Sequence, residues 1–365
     1  MTHPIRLLLP ALALLAACAE KREPYHFLDT PADHQRLGLT DTVEVKEDGR
    51  HTTPGSDEYE WWYLDGVAED GTVVVVVFSD NWLPGTHARQ VWIDVTPPGQ
   101  PTKQTKFLTH DAGDFALDRA DVKIGASRFA GDLAHYTIVV DPKDGQGLGC
   151  NLTLTRRVPS YRPGTGRFGS GEDFFAWVVP VPEGALSGTV TFDGKTVPFS
   201  GSGYHDHNWG NVPPNTLMRN WWWGRAEVNG RTVVMAELRP AEGLGDKPLP
   251  LLYIAGPEGV VTKVHGDAVR LMEDAPRSDE DPLHEEMRAG GVTLRTQAGT
   301  SVHFTRHARP LTSLDLLAHS GWLKRLAASA LRKTPWYTRW QSAVTIEHEG
   351  ASQKGEGTIE FFDLE

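Results

Sequence analysis

Short apolar runs alternate with turn-forming residues along most of the chain. From Glu58 onward such a run recurs about every 8–12 residues, bounded by Gly, Pro, Asn or Asp. The pairs Asp193-Gly194 and Asn229-Gly230 each separate two apolar runs, which is a strong local signal for a β-hairpin. This pattern predicts an all-β protein.

The turn-rich length favours two β-domains packed together, each a barrel or a sandwich. The chain has 365 residues, 39% hydrophobic and 23% charged, which is enough for two cores. We place the first domain at residues 42–197 and the second at residues 198–365, with the boundary near Pro198.

One stretch of the second domain has a helical rather than a strand-like pattern. Leucines at 311, 314, 317, 323, 326 and 331 have helical spacing and predict a helical insertion over residues 311–333. Such a helix would either close the end of a barrel or form an amphipathic lid that meets lipid.

The first 17 residues read as a signal peptide rather than as part of the fold. Arg6 precedes an apolar stretch, Leu7 to Ala17, that is too short to span a bilayer. It ends Leu15-Ala16-Ala17-Cys18, which resembles the bacterial lipoprotein processing signal and predicts cleavage before Cys18 and a lipid on its thiol. Ala19 after the cysteine indicates the outer membrane, facing the periplasm. The alternative is an ordinary signal peptide with an incidental cysteine.

Residues 18–41 are polar and show no apolar period, so we expect a flexible, lipidated tether. The formal net charge is −12, which argues against nucleic acid as a partner. Cys150 would then have no disulfide partner, and we expect it to be a small buried strand residue.

The candidate chemistry concentrates in Tyr204-His205-Asp206-His207-Asn208-Trp209. On a strand, the three odd-numbered residues would share one face and the three even-numbered residues the other. Three interpretations stay open: a His-x-His metal site without a visible third ligand, an acid–base pair of imidazole and carboxylate, and a structural set of mutually satisfied polar groups. We expect no metal.

Two further stretches are rich in tryptophan, Glu60-Trp61-Trp62-Tyr63 and Trp221-Trp222-Trp223-Gly224-Arg225. An unpaired Glu60 among indoles would cost several kcal/mol, so it must meet a partner or water in a cavity. The tryptophans form either plain barrel core or the wall of a pocket for an extended apolar or unsaturated ligand.

Together these three stretches resemble the carotenoid 1,2-hydratase (hydroxyneurosporene synthase) family, over roughly residues 58–364. That family is part of a lipocalin-like, AttH-type superfamily that includes fungal kievitone hydratases and Diels–Alder-type cyclases. The resemblance implies two calycin-like β-domains with a ligand cavity near their junction. It implies no cofactor.

The resemblance also implies site residues. His207 and Trp209 match the family's His-Asn-Trp, and Glu237 would replace an Asp of the hydratase branch, because this chain reads Met235-Ala236-Glu237 where that branch has Tyr-x-Asp. The candidate catalytic residues are His207, Asp206, His205, Trp209, Glu237 and Glu60. The candidate substrate-binding residues are Trp61, Trp62, Tyr204, Trp221, Trp222, Trp223 and Arg225.

Two functions stay open. The first is an envelope enzyme, hydratase-like (a hydro-lyase) or cyclase-like, acting on a long apolar isoprenoid, polyene or lipid. In it Asp206 or Glu237 would donate a proton, and His207 would orient that acid or deprotonate the water. The second is a non-catalytic lipid carrier, with an export machinery as a further candidate partner. We favour the enzyme, because an apolar carrier does not need His-Asp-His in its wall.

Overall fold

The computed structural model describes residues 22–81, 87–278, 280, 287–315 and 335–364. These residues form two large antiparallel sheets, of 13 and 10 strands, and a two-stranded ribbon. One large sheet is half of a barrel and the other is a nearly closed barrel. The prediction of an all-β, lipocalin-like fold is therefore confirmed.

The elements follow one another along the chain as two blocks. The first sheet contains β1 (His26–Phe27), β2 (Tyr59–Ala68), β3 (Val73–Asp80), β4 (Arg89–Thr96), β5 (Lys103–Thr109), β6 (Asp114–Phe115), β7 (Asp121–Ile124), β8 (Ser127–Gly131), β9 (His135–Val140), β10 (Gly149–Arg156), β11 (Arg167–Ser170), β12 (Asp173–Phe192) and β13 (Lys195–Gly210). The second contains β14 (Met218–Val228), β15 (Arg231–Pro240), β16 (Leu249–Gly256), β17 (Gly259–His265), β18 (Val269–Glu273), β21 (Gly291–Thr296), β22 (Ser301–Arg306), β23 (Thr312–Asp315), β24 (Trp336–His348) and β25 (Ala351–Asp363), while β19 (Pro276–Ser278) and β20 (Met287–Ala289) form the ribbon. The described helical elements are α1 (Pro31–Leu37) and three 3-10 turns, Val45–Asp48, Pro214–Thr216 and Gly266–Ala268.

The predicted hairpins form because their turn residues accept a left-handed backbone. Asp193 and Gly194 have φ of 51° and 71°, and they join β12 to β13. Asn229 and Gly230, with φ of 51° and 74°, join β14 to β15. Positive φ at both central residues matches the twist of the flanking strands. Cys150 is buried in β10, as predicted.

Strand β13 lies in the middle of the first sheet, hydrogen-bonded to β2 on one side and β12 on the other. In the second sheet β14 lies between β15 and β25. Apolar side chains form one core inside each sheet and a further core between the two sheets, here called the junction. Strand β13 therefore has one face toward the core of the first sheet and one toward the junction.

The change of sheet comes later than the predicted domain boundary. Pro198 lies inside β13, which continues through the whole motif to Gly210, and the second sheet begins with Met218. The boundary was placed too early because the turn at Asp193-Gly194 joins two strands of the same sheet.

Residues 22–41 contain a short strand and a helix where the sequence predicted a flexible coil. Strand β1 pairs with β11, and Thr30 caps α1 by accepting a hydrogen bond from the backbone of Asp33. Tyr25 is buried in the junction. The lipidation candidate Cys18 and the signal peptide lie outside the described residues. Within them, no helix is long and apolar enough to span a membrane.

The predicted helical insertion is wrong where it can be compared with the structure. Thr312–Asp315 is strand β23, paired with β24, so no helix begins at residue 311. Residues 316–334 lie outside the described part of the chain. Backbone pairing with a long neighbouring strand overrides the leucine spacing at this point.

Candidate active site

The central motif lies on β13, and the register with β2 fixes which way each side chain points. His207 is opposite Trp62, and Asp206 is opposite Tyr63. Residues in register share a face, so the odd-numbered and even-numbered residues of the motif face opposite sides, as predicted. One face belongs to the core of the first sheet and the other to the junction.

On the inner face, two carboxylates and two imidazoles form a closed network. His207 Nε2 donates to Glu60 Oε1 at 2.9 Å, and His207 Nδ1 lies 3.3 Å from Asp48 Oδ1, an ion-pair contact without hydrogen-bond alignment. His205 Nε2 lies 3.1 Å from Asp48 Oδ2, and its Nδ1 donates to the Tyr63 carbonyl at 2.8 Å. His205, His207 and Glu60 have no exposed surface.

The charged groups of this inner network stabilise one another's ionised forms. Burial by itself lowers the pKa of His207, but the close contacts with Asp48 and Glu60 and the attraction of their negative charges outweigh it and raise that pKa to about 9. Burial raises the pKa of Glu60, but hydrogen bonding and attraction from His207 more than reverse this, and the pKa is lowered. The imidazolium is thus balanced by carboxylates in a site closed to solvent, and it stacks on Trp62 with ring centroids 4.3 Å apart.

On the junction face, the carboxyl group of Asp206 receives three donors. Tyr204 Oη donates to Oδ2 at 2.8 Å, Trp177 Nε1 donates to Oδ2 at 2.9 Å, and Asn208 Nδ2 donates to Oδ1 at 2.8 Å. Burial raises the pKa of Asp206 and outweighs these hydrogen bonds, so the pKa is about 6. A carboxyl group that gains or loses its proton just below neutral pH therefore lies in an aromatic environment.

A second set of charged side chains, from strands β2, β14, β24 and β25, completes the junction site. Asp65 accepts hydrogen bonds from Arg225 and from Arg339 Nη2, the latter at 2.6 Å. Tyr63 Oη accepts a hydrogen bond from Arg339 Nη1 at 3.0 Å. Glu360 accepts from Tyr337 at 2.7 Å, and burial raises its pKa to about 7. Residues of both sheets therefore meet around Asp206.

The predicted site residues are distributed over three places. Asp206, Tyr204, Trp61, Trp221, Trp223 and Arg225 face the junction, while Glu60, Trp62, His205, His207 and Trp209 lie on the inner face of the first sheet. Trp222 and Glu237 are cross-strand partners facing the core of the second sheet, where Glu237 pairs with Arg239 at 3.0 Å. Glu237 therefore does not lie near the motif. Its neighbours on β15 point toward the junction, and Glu237 points to the opposite face of the strand. Asp206 and His207, expected to work as a pair, point away from each other.

Five residues of the two sites were missed from the sequence. Asp65 is two residues beyond Tyr63, so the alternation used for the motif places it on the junction face. Glu360 is a lone acid in an apolar run, which is a usable signal. The remaining three, Asp48, Trp177 and Arg339, come from distant segments without a local signal.

The described part of the chain contains no cluster of three or more His, Cys, Asp or Glu side chains arranged to hold a metal ion. The inner network can fix charge and geometry. The junction site can donate a proton from a carboxylic acid and surround a developing positive charge with aromatic faces.

Comparisons with known proteins support the resemblance inferred from the motifs. No family model matches the chain. Hydroxyneurosporene dehydrogenase from Chlorobaculum tepidum is 28% identical over an alignment 369 positions long, gaps included, which covers 88% of this chain and 87% of the relative. The predicted similarity to hydroxyneurosporene-related proteins is therefore confirmed over most of the chain.

Solved structures share the fold at low sequence identity. A putative AttH protein from Nitrosomonas europaea superposes with a TM-score of 0.60 at 14% identity, covering 89% of this chain and 98% of that one. Kievitone hydratase from Nectria haematococca superposes with a TM-score of 0.60 at 12% identity, covering 88% and 93%. The AttH-type architecture is shared.

Proposed function

We propose that this protein is a hydratase- or cyclase-like enzyme that works by acid–base chemistry at the junction, with Asp206 as the proton donor. The observation that carries the proposal is the buried Asp206 carboxyl group, held by three donors among aromatic side chains. Among the proteins described above, kievitone hydratase, whose fold this chain shares, is named for an activity of this class, which supports the proposal.

The proposed reaction begins with proton transfer to an unsaturated carbon. The O–H bond of Asp206 breaks, the π electrons form the new C–H bond, and the neighbouring carbon becomes cationic. The indole rings of Trp177 and Trp223 line the junction and stabilise such a cation through their π faces. In hydration, water then forms the C–O bond and returns a proton to a carboxylate. In cyclisation, the π electrons of a second double bond form a C–C bond to the cationic carbon, and the new cation loses a proton from a neighbouring carbon to a carboxylate.

Glu360 is the candidate for the receiving base. It approaches the junction from the second sheet, and Asp206 contributes to its raised pKa after the larger effect of burial. With pKa values of about 6 for Asp206 and about 7 for Glu360, both carboxyl groups titrate near neutral pH, and Asp206 is the stronger acid while Glu360 is the stronger base. Such a pair can supply one acid and one base to the same substrate.

The inner network is assigned a positioning role. His207, Glu60 and Asp48 are closed to solvent on the opposite face of β13 from Asp206, so they do not touch a substrate at the junction. By fixing the adjacent residues of β13 against β2, they hold Asp206 in place. The sequence suggested that His207 takes part in the proton transfer, and the proposal now assigns it a positioning role.

We also propose that the protein is an outer-membrane lipoprotein anchored by Cys18 and facing the periplasm, with a largely apolar ligand. The aromatic lining of the junction supports the apolar ligand, and the Leu-Ala-Ala-Cys sequence supports the anchor. A lipid carrier, with or without an export partner, would use the same lining without turnover.

The test compares Asp206→Asn with wild type on lipid and pigment extracts followed by mass spectrometry. Hydration adds the mass of one water to the substrate, and cyclisation leaves the mass unchanged. We expect Asp206→Asn to lower product formation by roughly 10²–10⁴-fold, the range for losing a general acid. The fold should survive, because Asn208 can rotate its amide to accept from the new Asn.

Asp193→Asn is the matched control, since it makes the same change at an exposed hairpin turn. Its product formation should equal that of wild type. If Asp206→Asn forms product at the wild-type rate, Asp206 is not the acid. If the wild-type protein binds ligands but converts none of them, the lipid carrier becomes the better explanation and the enzyme proposal is wrong.

A further inference from the structure

Two arginines of the second sheet converge on a single aspartate of the first. Arg225, on β14, and Arg339, on β24, each donate to a different oxygen of Asp65 on β2. Asp65 is fully buried, and the side chains of Arg225 and Arg339 are 12% and 5% exposed. Two guanidinium charges therefore share one firmly ionised carboxylate.

The remaining polar partners balance this positive charge only in part. Tyr63 is a neutral phenol, and burial raises the pKa of Glu360, the other carboxyl group at Arg339, to about 7. The Nε atom of Arg225 is buried and has no hydrogen-bond partner among the described residues. A buried donor without an acceptor is costly, and such donors are uncommon unless something else satisfies them.

The guanidinium group of Arg225 is connected to the proposed acid through the ring of Tyr204. Its guanidinium lies over the Tyr204 ring, 5.7 Å from the ring centroid, and the Tyr204 hydroxyl donates to Asp206 at 2.8 Å. A ligand group bound at Arg225 would be one aromatic ring away from the carboxyl group that donates the proton.

We infer that Arg225, supported by Arg339, recognises an oxygen acceptor on the substrate, namely a carboxylate, an enolate or a ketone conjugated to the reacting double bond. The substrate class is then an oxygenated unsaturated molecule rather than a pure hydrocarbon. The inference rests on the proposed function, because it places the substrate at the same junction. A guanidinium suits this task, since its planar donors match carboxylate and enolate oxygens.

A purely structural clamp between the sheets is the competing explanation. In that case Arg225 only fixes Asp65, and its removal lowers stability without changing which ligand binds. The two explanations differ in head-group selectivity, which can be measured without turnover.

The probes are retinoic acid, retinal and retinol, which share an unsaturated apolar body and differ only in the head group. Binding is followed by quenching of the protein's 12 tryptophans. We expect wild type to bind retinoic acid at least about tenfold more tightly than retinol, as one charge-assisted hydrogen bond provides. Retinal, with a neutral carbonyl acceptor, should fall between them.

Arg225→Gln should reduce this preference to about twofold or less, and Arg225→Lys should keep part of it, because the charge remains while the fork is lost. Arg225→Lys serves as the readout if Arg225→Gln fails to fold. The exposed Arg270 is the matched control, and Arg270→Gln should keep the wild-type preference. The inference is overturned if wild type binds acid and alcohol equally, if the preference survives Arg225→Gln, or if no retinoid binds.

This result is separable from the test of the proposed function. Asp206→Asn removes the acid and leaves Arg225 in place, so it should keep the head-group preference while product formation falls. If the head-group preference is absent while turnover is intact, the inference about Arg225 is wrong and the proposed function stands. If the preference is present without turnover, the proposed function is wrong and the inference about ligand binding stands.

Discussion

Asp206 and His207 are neighbours in the chain and experience opposite electrostatic environments at the same depth. Burial dominates at Asp206, whose three hydrogen-bond donors are all neutral, and its acid form is more stable than that of a free aspartate. Ionic partners dominate at His207, where Asp48 and Glu60 keep the imidazole charged. Because both side chains are buried, the charge of their partners decides whether burial or attraction dominates the pKa shift of each.

A first prediction follows for His207→Gln. The substitution leaves Glu60 and Asp48 buried without their cation, and breaking a buried ion pair from one side costs about 3–5 kcal/mol. We expect a fall in thermal midpoint of roughly 10 °C, measured by calorimetry. Asp206→Asn should shift the midpoint far less, since it leaves no unpaired charge. A midpoint for His207→Gln within a degree of wild type would contradict the closed network.

The pH dependence of stability gives a second prediction. The pKa of His207 is raised from 6.5 to about 9, so its contribution is complete below about 6.5 and is lost as the pH rises through about 9. Glu60 has a lowered pKa, so its contribution is present above its ordinary value of 4.5 and is lost on acidification.

The network should therefore stabilise the protein most between about pH 5 and pH 6.5. The thermal midpoint of wild type should decline between pH 6.5 and pH 9, and His207→Gln should flatten that decline. The measurement is a midpoint series for both proteins in matched ionic strength. Parallel curves would show that His207 does not carry the dependence.

Part of this residue-scale picture could be predicted from the sequence. The requirement that Glu60 find a partner is met by His207 and by Thr52, which donates to it at 2.8 Å. The partner Asp48 could not be predicted, because it comes from a 3-10 turn 157 residues before His205. No local pattern encodes a contact between segments so far apart.

At the scale of single elements, a row of glycines crosses three neighbouring strands just before the motif. Gly66 of β2 is opposite Gly203 of β13, which is opposite Gly184 of β12. A Cβ atom on Gly66 would lie 2.2 Å from Leu186 Cδ2. The missing side chains make room for Leu186 and Leu154 beside the strands that carry the site.

A third prediction tests this row. Gly66→Ala overpacks the core and should cost about 1–3 kcal/mol, read as a lower thermal midpoint. Leu186→Ala alone should cost about 2–5 kcal/mol, and the double variant should lose less than the sum, because the new methyl group fills part of the cavity. Gly256→Ala, whose Cβ would meet nothing closer than 3.7 Å, is the control. Strictly additive losses would show that the two positions do not compete for space.

The elements themselves were predictable where turn chemistry is local. Asn229-Gly230 and Asp193-Gly194 specify hairpins through their own backbone preferences. The helix over residues 311–333 failed at its start, since four residues, Thr312–Asp315, instead complete a ladder with β24. The spacing of leucines gives no information about pairing with β24, a strand that begins at Trp336.

At the scale of the whole molecule, the segment expected to be a tether joins the two sheets. The backbone N–H of Tyr25 donates to the Leu244 carbonyl at 2.9 Å, on the side of the second sheet, while β1 pairs with β11 of the first. His265 of β17 contacts Asp29 at 2.7 Å. Few apolar residues are involved, mainly Tyr25 and Phe27, which is why the polar composition of residues 18–41 suggested a coil.

This docking changes what lipidation of Cys18 would do. Ser170 holds the Glu23 carbonyl with a hydrogen bond, so the chain is attached to the fold from there onward. Five residue steps from Cys18 to Glu23 span at most about 18 Å even when fully extended. A lipidated protein would therefore stay close to the membrane with a restricted orientation, instead of moving on a long tether.

The last prediction tests the anchor. Cys18→Ser removes the only thiol that the processing signal can modify, so the protein should move from the membrane fraction to the soluble periplasm. Its thermal midpoint should not change, because the docked segment from Glu23 onward is untouched. Cys150→Ser, which leaves the signal intact, should fractionate like wild type. If Cys18→Ser remains with membranes, lipidation is not the anchor, and the leucine-rich residues 311–331, for which the sequence suggested a lipid contact, become the next candidate for the membrane contact.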